Sequence, residues 1–259
     1  MRHPERHIAL PGTHNIRDLG GYPTLGGRAT EWRRVLRGDS PHRLDAAGQA
    51  RLRDEGLRTV IDLRTAAEAA AAPNPFATAP GIAYHRLPLF DTLAPDAMIE
   101  EAARGDDPLR VFYEAAVEER AAALREILSA VAAAPEGGVL VHCTAGKDRT
   151  GLVAALVLGA AGVPEDAIVA DYALTESMIS ALVAEFLELA RRRRADTDAY
   201  ARVLAAPAET MRATLARLAE RHGSVEAYLA RIGLPEGDRS ALRDRMLGQR
   251  PVDLGRGRA

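Results

Sequence analysis

The chain has 259 residues, of which 47% are hydrophobic and only 4% aromatic, and its formal net charge at pH 7 is −2. This length suits one domain over residues 1–259, with a core built mostly from alanine, leucine and valine. The near-neutral charge excludes a general attraction to nucleic acid or to an anionic membrane, so any anion site must be local.

The first half of the chain combines turn patterns with short strand patterns. Asn, Asp and paired Gly in "THNIRDLGGYPT" favour a shaped loop, and "WRRVLRGDSP" predicts a short strand. Asp45 is a candidate cap for a helix over "AAGQARLRDEG", which "LRTVIDLRT" follows as a buried strand. A further short strand is expected in "IAYHRLPLF", directly before Asp91.

The second half is mostly helical. Two helices are predicted within residues 95–134, interrupted at "RGDDP". A buried strand in "GGVLVHC" and a nearly all-apolar helix in "RTGLVAALVLGAAG" come next. Further helices are expected over residues 164–173, 176–194, 207–222, 224–232 and 239–247. Strands separated by helical segments predict an α/β fold, with a central, mostly parallel sheet flanked by helices.

Neither a signal peptide nor a membrane-spanning segment is expected from the sequence. The N-terminal residues contain no apolar run of signal-peptide length, and the apolar run at residues 153–163 is too short to span a bilayer. We therefore expect a cytoplasmic protein without stable membrane insertion and without a nucleic-acid partner, although export that needs no signal peptide stays open. Residues from about 248 onward are expected to form a disordered tail.

The stretch "HCTAGKDRTG" contains the only cysteine and the only lysine of the chain. It links the end of a predicted strand to the start of a helix, which is where open α/β sheets bind ligands. A Gly-containing turn before a helix points backbone N–H groups inward, and the helix N-terminus adds roughly half a positive charge. The loop is therefore predicted to bind a phosphate group through Thr144, Ala145, Gly146, Lys147, Asp148 and Arg149.

Cys143 precedes this loop. The positive field favours its thiolate, and a thiolate inside a phosphate site is a nucleophile for phosphorus. The competing interpretation is a buried cysteine beside a structural arginine, but it leaves the anion-binding geometry without a purpose. His3 and His7 have the i, i+4 spacing of a helical metal pair, but Pro4 and the terminal position favour a disordered segment there. No other cluster has the spacing of a metal site, so neither a metal nor another cofactor is expected.

The pattern His142-Cys143-x5-Arg149-Thr150 resembles the active-site loop of cysteine-dependent protein tyrosine phosphatases. With "HNIRDLGGY", "VIDLR", "DYALT" and "HGSVEAYLARIGL", the chain is similar to a bacterial tyrosine phosphatase family that includes secreted mycobacterial enzymes. Those enzymes act on phosphotyrosine, phosphoserine/threonine and phosphoinositides. The resemblance implies the tyrosine phosphatase fold with a C-terminal helical lid, which we map to about residues 176–206.

This chemistry assigns a role to each loop residue. Cys143 attacks phosphorus and forms a cysteinyl-phosphate, while Arg149 and the loop amides hold the phosphate oxygens. Thr150 can donate its hydroxyl to the departing thiolate. Two aspartates compete as the general acid: Asp148, inside the loop, is narrowly preferred to Asp91, which follows a predicted strand as the acid loop of related phosphatases does.

Several other residues are expected to support the loop. His142 either fixes the loop by hydrogen bonds or is simply a satisfied histidine at a strand end. Arg17 and Arg64 are expected to be buried supports, with Asp18 and Asp62 as partners of arginines there.

Lys147 bears on the choice of substrate. Its compact charge suits a second phosphate, and a lysine here is shared with phosphoinositide phosphatases, but Thr144 stands where those enzymes carry another lysine. Protein phosphotyrosine is therefore the preferred substrate, and phosphoinositide or dual specificity is the alternative. A phosphoresidue-binding module without turnover and a sulfurtransferase are weaker alternatives.

Overall fold

The computed structural model describes residues 5–90 and 108–248. Its strands are β1 (Arg17–Asp18), β2 (Val35–Gly38), β3 (Leu57–Asp62), β4 (Ala83–Arg86) and β5 (Gly138–His142). They form one sheet in the order β1-β2-β5-β3-β4. β1 runs antiparallel to β2, and the other neighbouring strands are parallel. The predicted α/β class with a mostly parallel sheet is confirmed.

Eleven helices are present in the described part of the chain, together with a 3-10 turn at Pro41–Arg43. They are α1 (Ala46–Asp54), α2 (Ala66–Ala71), α3 (Pro108–Glu119), α4 (Ala121–Ala133), α5 (Asp148–Ala160), α6 (Glu165–Met178), α7 (Ser180–Arg192), α8 (Thr197–Leu204), α9 (Ala208–His222), α10 (Val225–Arg231) and α11 (Glu236–Leu247).

The sheet separates two apolar clusters. Along β5, Val139 and Val141 belong to the larger cluster and Leu140 to the smaller one, because successive side chains of a strand point to opposite faces. The larger cluster includes every residue of α5 from Leu152 to Leu158, and the smaller one includes Leu52 of α1. Helices therefore cover both faces, and β5 lies in the middle of the sheet with α5 packed inside the fold.

Most predicted elements are present. The strands in "WRRVLRGDSP", "LRTVIDLRT", "IAYHRLPLF" and "GGVLVHC" correspond to β2, β3, β4 and β5. Asp45 caps α1 as expected, since its carboxylate accepts a hydrogen bond from the Gly48 amide at 2.7 Å. One face of α4 is apolar and fully buried; it consists of Leu124, Ile127, Leu128 and Val131. The predicted helix within residues 95–107 and the predicted tail after residue 248 lie outside the described residues.

The helices differ from the prediction in several places. Residues 108–133 form two helices that meet at Arg120. α6 continues to Met178, so the helix expected from residue 176 starts at Ser180; neither Gly nor Pro marks this bend of 56°. Helices α2 and α8 were not predicted; they have six and eight residues, and each starts at a side-chain cap.

The predicted lid, residues 176–206, contains the last turn of α6 and all of α7 and α8. Within the described ranges, no single helix is long and apolar enough to cross a membrane, although α6 and α7 reach that length and apolarity when counted together across their bend.

Candidate active site

The candidate site is the turn between β5 and α5. β5 pairs on either side with β2 and β3, and His142 lies opposite Gly38 and Asp62 in these two strands. The loop that follows, residues 143–147, therefore leaves the carboxyl edge at the centre of the sheet, where parallel strands open a crevice for ligands. Cys143 is buried at the start of this loop, and α5 begins at Asp148.

Every carbonyl of residues 143–147 accepts a hydrogen bond from a group outside the loop or from the helix behind it. The donors are His142 Nδ1 to Cys143 O (3.1 Å), the Ser40 amide to Thr144 O (3.0 Å), Asn15 Nδ2 to Ala145 O and Gly146 O (3.0 and 3.1 Å), Arg37 Nη2 to Gly146 O and Lys147 O (2.8 and 3.3 Å), and the Gly151 amide to Lys147 O (2.8 Å). In a trans peptide the N–H of the next residue points the opposite way. The amides of residues 144–148 are therefore directed to the inside of the loop, as an anion site requires.

Gly146 makes this turn possible. Its φ of +67° lies in the left-handed region, which favours glycine. A Cβ at this position would lie 2.3 Å from the carbonyl carbon and oxygen of Gly38. The loop consequently packs directly against the end of β2, and a larger residue at position 146 would force the two backbones apart.

A buried charge network supports the loop from behind. The carboxylate of Asp171, on α6, pairs with Arg17 at 3.0 Å and with Arg37 at 2.7 Å, and accepts a hydrogen bond from Tyr22 at 2.8 Å. Burial alone raises the pKa of this carboxyl, but the two guanidinium groups outweigh it and hold the pKa well below its usual value. Arg17 also donates to the Asn15 side chain. The network thus orients two of the groups that bind the loop carbonyls.

Arg149 is held by Glu68, near the start of α2. Nη1 and Nη2 of Arg149 donate to the two carboxylate oxygens of Glu68 at 2.7 and 2.8 Å, and the Thr144 hydroxyl donates to the same carboxylate. Burial opposes ionisation of Glu68, but these hydrogen bonds and the charge of Arg149 lower its pKa to about 2. A bidentate pair of this kind fixes the plane of the guanidinium group. Glu68 therefore fixes the orientation of Arg149 at the end of the loop.

Sequence analysis did not identify Glu68, although the chain contains a signal for it. Thr65 and Glu68 form a capping box, in which the Thr65 side chain accepts from the Glu68 amide at 3.2 Å and Glu68 accepts from the Thr65 amide at 2.9 Å. The pattern Thr-x-x-Glu predicts such a helix start. Asn15, Arg37 and Asp171 were also missed, and no local pattern connects them to the loop.

His142 supports the loop as a neutral residue. Its Nδ1 donates to the Cys143 carbonyl at 3.1 Å, and its Nε2 accepts from Asn74 Nδ2 at 2.8 Å. Asp62 lies 3.6 Å from Nε2, but complete burial outweighs its charge and lowers the pKa of His142 to about 4. Of the two expected roles, the structure shows the one in which His142 bonds the loop.

The lowered pKa of His142 predicts acid sensitivity. In the unfolded chain histidine takes up a proton near pH 6.5, whereas in the folded chain it does so near pH 4. The contribution of neutral His142 to the free energy of unfolding is fully present above pH 6.5 and decreases as the pH falls towards 4. At pH 4.5 about 2 to 3 kcal/mol of it is lost. Urea unfolding of wild type and His142→Asn at pH 7.5 and pH 4.5 measures it: the acid-induced loss should be smaller in the variant by this amount. Equal losses would contradict a neutral buried His142.

Asp148 and Lys147 lie at the junction of the loop with α5. The Asp148 carboxylate accepts a hydrogen bond from the Tyr113 hydroxyl at 3.3 Å, and the ammonium group of Lys147 is also 3.3 Å away. Burial raises the pKa of Tyr113 well above its usual value, so its hydroxyl remains a donor. The Asp148 side chain keeps 22% of its surface exposed, whereas that of Lys147 is 3% exposed. Asp148 is therefore partly accessible to solvent, while Lys147 is enclosed.

The remaining predicted residues have mixed outcomes. The Thr150 hydroxyl is buried and makes no hydrogen bond within the described part of the chain, so its bond to the thiolate stays a prediction. Asp91 lies outside the described residues.

Asp18 pairs with Arg33 and Asp62 with Arg64, each at 2.7 Å, and these pairs confirm the expected arginine partners of both aspartates. Within the described ranges, no group of three or more His, Cys, Asp or Glu side chains could hold a metal ion.

Comparisons with known proteins identify the family of the chain. The model of the tyrosine phosphatase family matches residues 8–248. The triple specificity protein phosphatase PtpB of Mycobacterium tuberculosis is 31% identical, over 92% of this chain and 98% of its own length. A tyrosine-protein phosphatase of Nostoc commune is 32% identical, over 80% of this chain and 71% of its own.

Among solved structures, TpbA of P. aeruginosa in complex with pTyr matches 96% of this chain and 100% of its own, with 17% sequence identity and a TM-score of 0.38. The family model and the M. tuberculosis relative both extend over nearly the whole chain. The chain therefore belongs to the tyrosine phosphatase family and is a phosphatase, as its active-site motif predicts.

Proposed function

We propose that this phosphatase hydrolyses phosphomonoesters through a cysteinyl-phosphate on Cys143, with protein phosphotyrosine as its preferred substrate. The observation that best supports this proposal is the set of outward-facing carbonyls at residues 143–147, which leaves five successive amides to bind phosphate oxygens. Cys143 begins this loop, and Arg149, oriented by Glu68, ends it.

The reaction has two steps. In the first, Sγ of Cys143 attacks phosphorus, the bond from phosphorus to the ester oxygen breaks, and a proton from Asp148 goes to that oxygen. In the second, water attacks phosphorus, the S–P bond breaks, and Asp148 takes a proton from the water, so that inorganic phosphate is released. The loop amides and Arg149 bind the three equatorial oxygens as their charge develops.

Asp148 fits the general acid because its carboxylate is part of the loop junction and remains partly exposed. The hydrogen bond from Tyr113 fixes one of its oxygens and leaves the other available for a proton. Asp91 follows β4 by five residues and is the alternative acid, as the sequence suggested.

Replacing Asp148 with asparagine tests this assignment. Because a positioned general acid contributes about 10²- to 10⁴-fold, we expect turnover of a phosphotyrosine peptide to fall by that factor. The basic limb of the pH–rate profile should disappear, since that limb reports loss of the proton from the acid. Asp91→Asn is the matched control and should keep both the rate and the limb. The reverse result, with the limb lost only in Asp91→Asn, would move the role to Asp91.

A phosphoinositide is the second candidate substrate. Lys147 supports it as a cation next to the loop, and the M. tuberculosis relative is named for triple specificity. The enclosed position of Lys147 and the presence of Thr144 at the second position of the loop favour phosphotyrosine.

The deciding experiment measures phosphate release from a phosphotyrosine peptide and a phosphoinositide side by side, with EDTA present. Cys143→Ser is the control for thiolate chemistry. Faster turnover of the peptide supports the proposal, and faster turnover of the lipid replaces phosphotyrosine by the second candidate. Binding of both substrates without turnover would indicate a phosphoresidue-binding module.

A further inference from the structure

We propose that Lys147 is a positioning residue that ties helix α8 to the phosphate loop and thereby limits the access of bulky substrates. The inference rests on the proposed function, because it takes the loop as the substrate site, and it keeps residues 176–206 as the predicted lid. It assigns the only lysine of the chain a role in specificity through α8, distinct from direct binding of a phosphate.

The ammonium group of Lys147 faces the C-terminal end of α8. Its Nζ donates to the carbonyls of Val203 and Ala205 at 2.5 and 2.8 Å, and lies 3.3 Å from the Asp148 carboxylate. Of the three N–H donors of the ammonium group, two are satisfied by these carbonyls, and the Asp148 carboxylate forms an ion pair with it. Cations also interact favourably with the C-terminus of a helix. Lys147, which lies directly before α5, thus binds carbonyls at the C-terminal end of α8.

The loop itself has no need of this ammonium group. Its carbonyls are already bound by Asn15, Arg37, His142 and the Ser40 amide. Two of the three partners of Lys147 lie elsewhere, at Val203 near the end of α8 and at Ala205 directly after it. If α8 moved away, the ammonium group would exchange both carbonyl acceptors for water and would keep only Asp148 as a partner within the protein.

Helix α8 depends on such a tie, because it has little stability of its own. It has only eight residues, and isolated helices of that length do not form in water. Its buried residues Ala199 and Val203 form a small cluster separate from the main core. Another link to the lid, the ion pair of Arg43 with Glu185 on α7, is about half exposed and therefore weak.

Hydrogen exchange of the resting protein, without substrate, tests the tie independently of catalysis. In Lys147→Met, amides of residues 197–205 should exchange about tenfold faster, with unchanged protection in α4 and α5. The matched control is Glu185→Gln, which removes the exposed ion pair and should change exchange less than twofold. Unchanged exchange of α8 in Lys147→Met, or an equal rise in α4 and α5, would overturn the proposal.

A second variant leaves the loop intact. Asp196 caps α8 by accepting hydrogen bonds from the amides of Asp198 and Ala199 at 3.0 and 2.9 Å, so Asp196→Ala should loosen this helix about fivefold. Because the chain has one lysine, acetylation at position 147 can be followed by peptide mapping and should accelerate by the same factor. An acetylation rate that does not respond to Asp196→Ala would refute the tie even if Lys147→Met failed to fold.

Steady-state kinetics with a large and a small substrate test whether α8 controls substrate access. Lys147→Met should raise the ratio of kcat/KM for a phosphotyrosine peptide to that for a small aryl phosphate, by about tenfold if the exchange of α8 rises tenfold. A general loss of stability would lower both values together. An unchanged ratio, with α8 exchange increased, would show that α8 does not control access.

Discussion

Replacing Cys143 with serine is expected to lower turnover of a phosphotyrosine peptide by at least about 10⁴-fold, because removal of a catalytic nucleophile alone can cost about 10⁶-fold. A serine hydroxyl is a much weaker nucleophile for phosphorus than the sulfur of a cysteine, so the covalent step should be lost. The side chains have similar volumes, so the buried position next to β5 should accommodate the change. Phosphate release at pH 6 to 7 measures the effect.

Binding of inorganic phosphate separates loss of the nucleophile from loss of the loop. Amides 144–148 and Arg149 are unchanged in Cys143→Ser, so phosphate should raise the melting temperature of the variant as much as that of the wild type. A variant that keeps more than about 1% of the activity would contradict a covalent cysteinyl-phosphate. Loss of both activity and phosphate binding would mean that the loop had collapsed.

Removal of the Asp171 carboxylate is expected to have the largest effect on stability. In Asp171→Ala, Arg17 and Arg37 remain buried without their shared carboxylate, and breaking a buried ion pair costs about 3 to 5 kcal/mol. Arg37 and Asn15 should then bind the loop carbonyls less firmly, so phosphate affinity should fall as well. Urea unfolding at pH 7.5 and phosphate titration measure the two effects.

Tyr22→Phe is the matched control for Asp171→Ala. It removes one hydrogen bond to the same carboxylate and leaves both arginines paired, so it should cost only about 1 kcal/mol. The contrast between the variants isolates the charge of Asp171 from the hydrogen bond. Similar losses in the two variants would show that the arginines find other partners, and that the network does not depend on Asp171.

The features that could be predicted from the sequence are those encoded by neighbouring residues. The central strand, the turn at residues 143–147 and the apolar helix α5 follow one another directly in the chain. The hydrophobic pattern of each segment, the turn residues and the motif therefore all indicate the same structure. Asp45 was found because a capping residue lies beside the helix that it caps. The bend at Ile179 was missed because no residue that breaks a helix marks it.

The support of the active site could not be predicted in the same way. Glu68 lies 81 residues from Arg149, and Asp171 lies 154 residues from Arg17, so no local pattern relates either pair. Lys147 was interpreted as a cation for a second phosphate, yet its ammonium group contacts carbonyls 56 and 58 residues away, in and just after α8. A helix of eight residues has too weak a pattern to show where it will pack.

The sequence by itself determined the family, the α/β class and the catalytic motif of this protein, because a nucleophile, an anion-binding turn and a helix start can all be specified within about ten residues. The tertiary structure alone decided what holds that motif in shape. Hydrogen bonds to the loop carbonyls, the carboxylates that orient its arginines and the contact of Lys147 with α8 exist only once distant segments have packed together, since burial is what makes each of these polar groups require a partner.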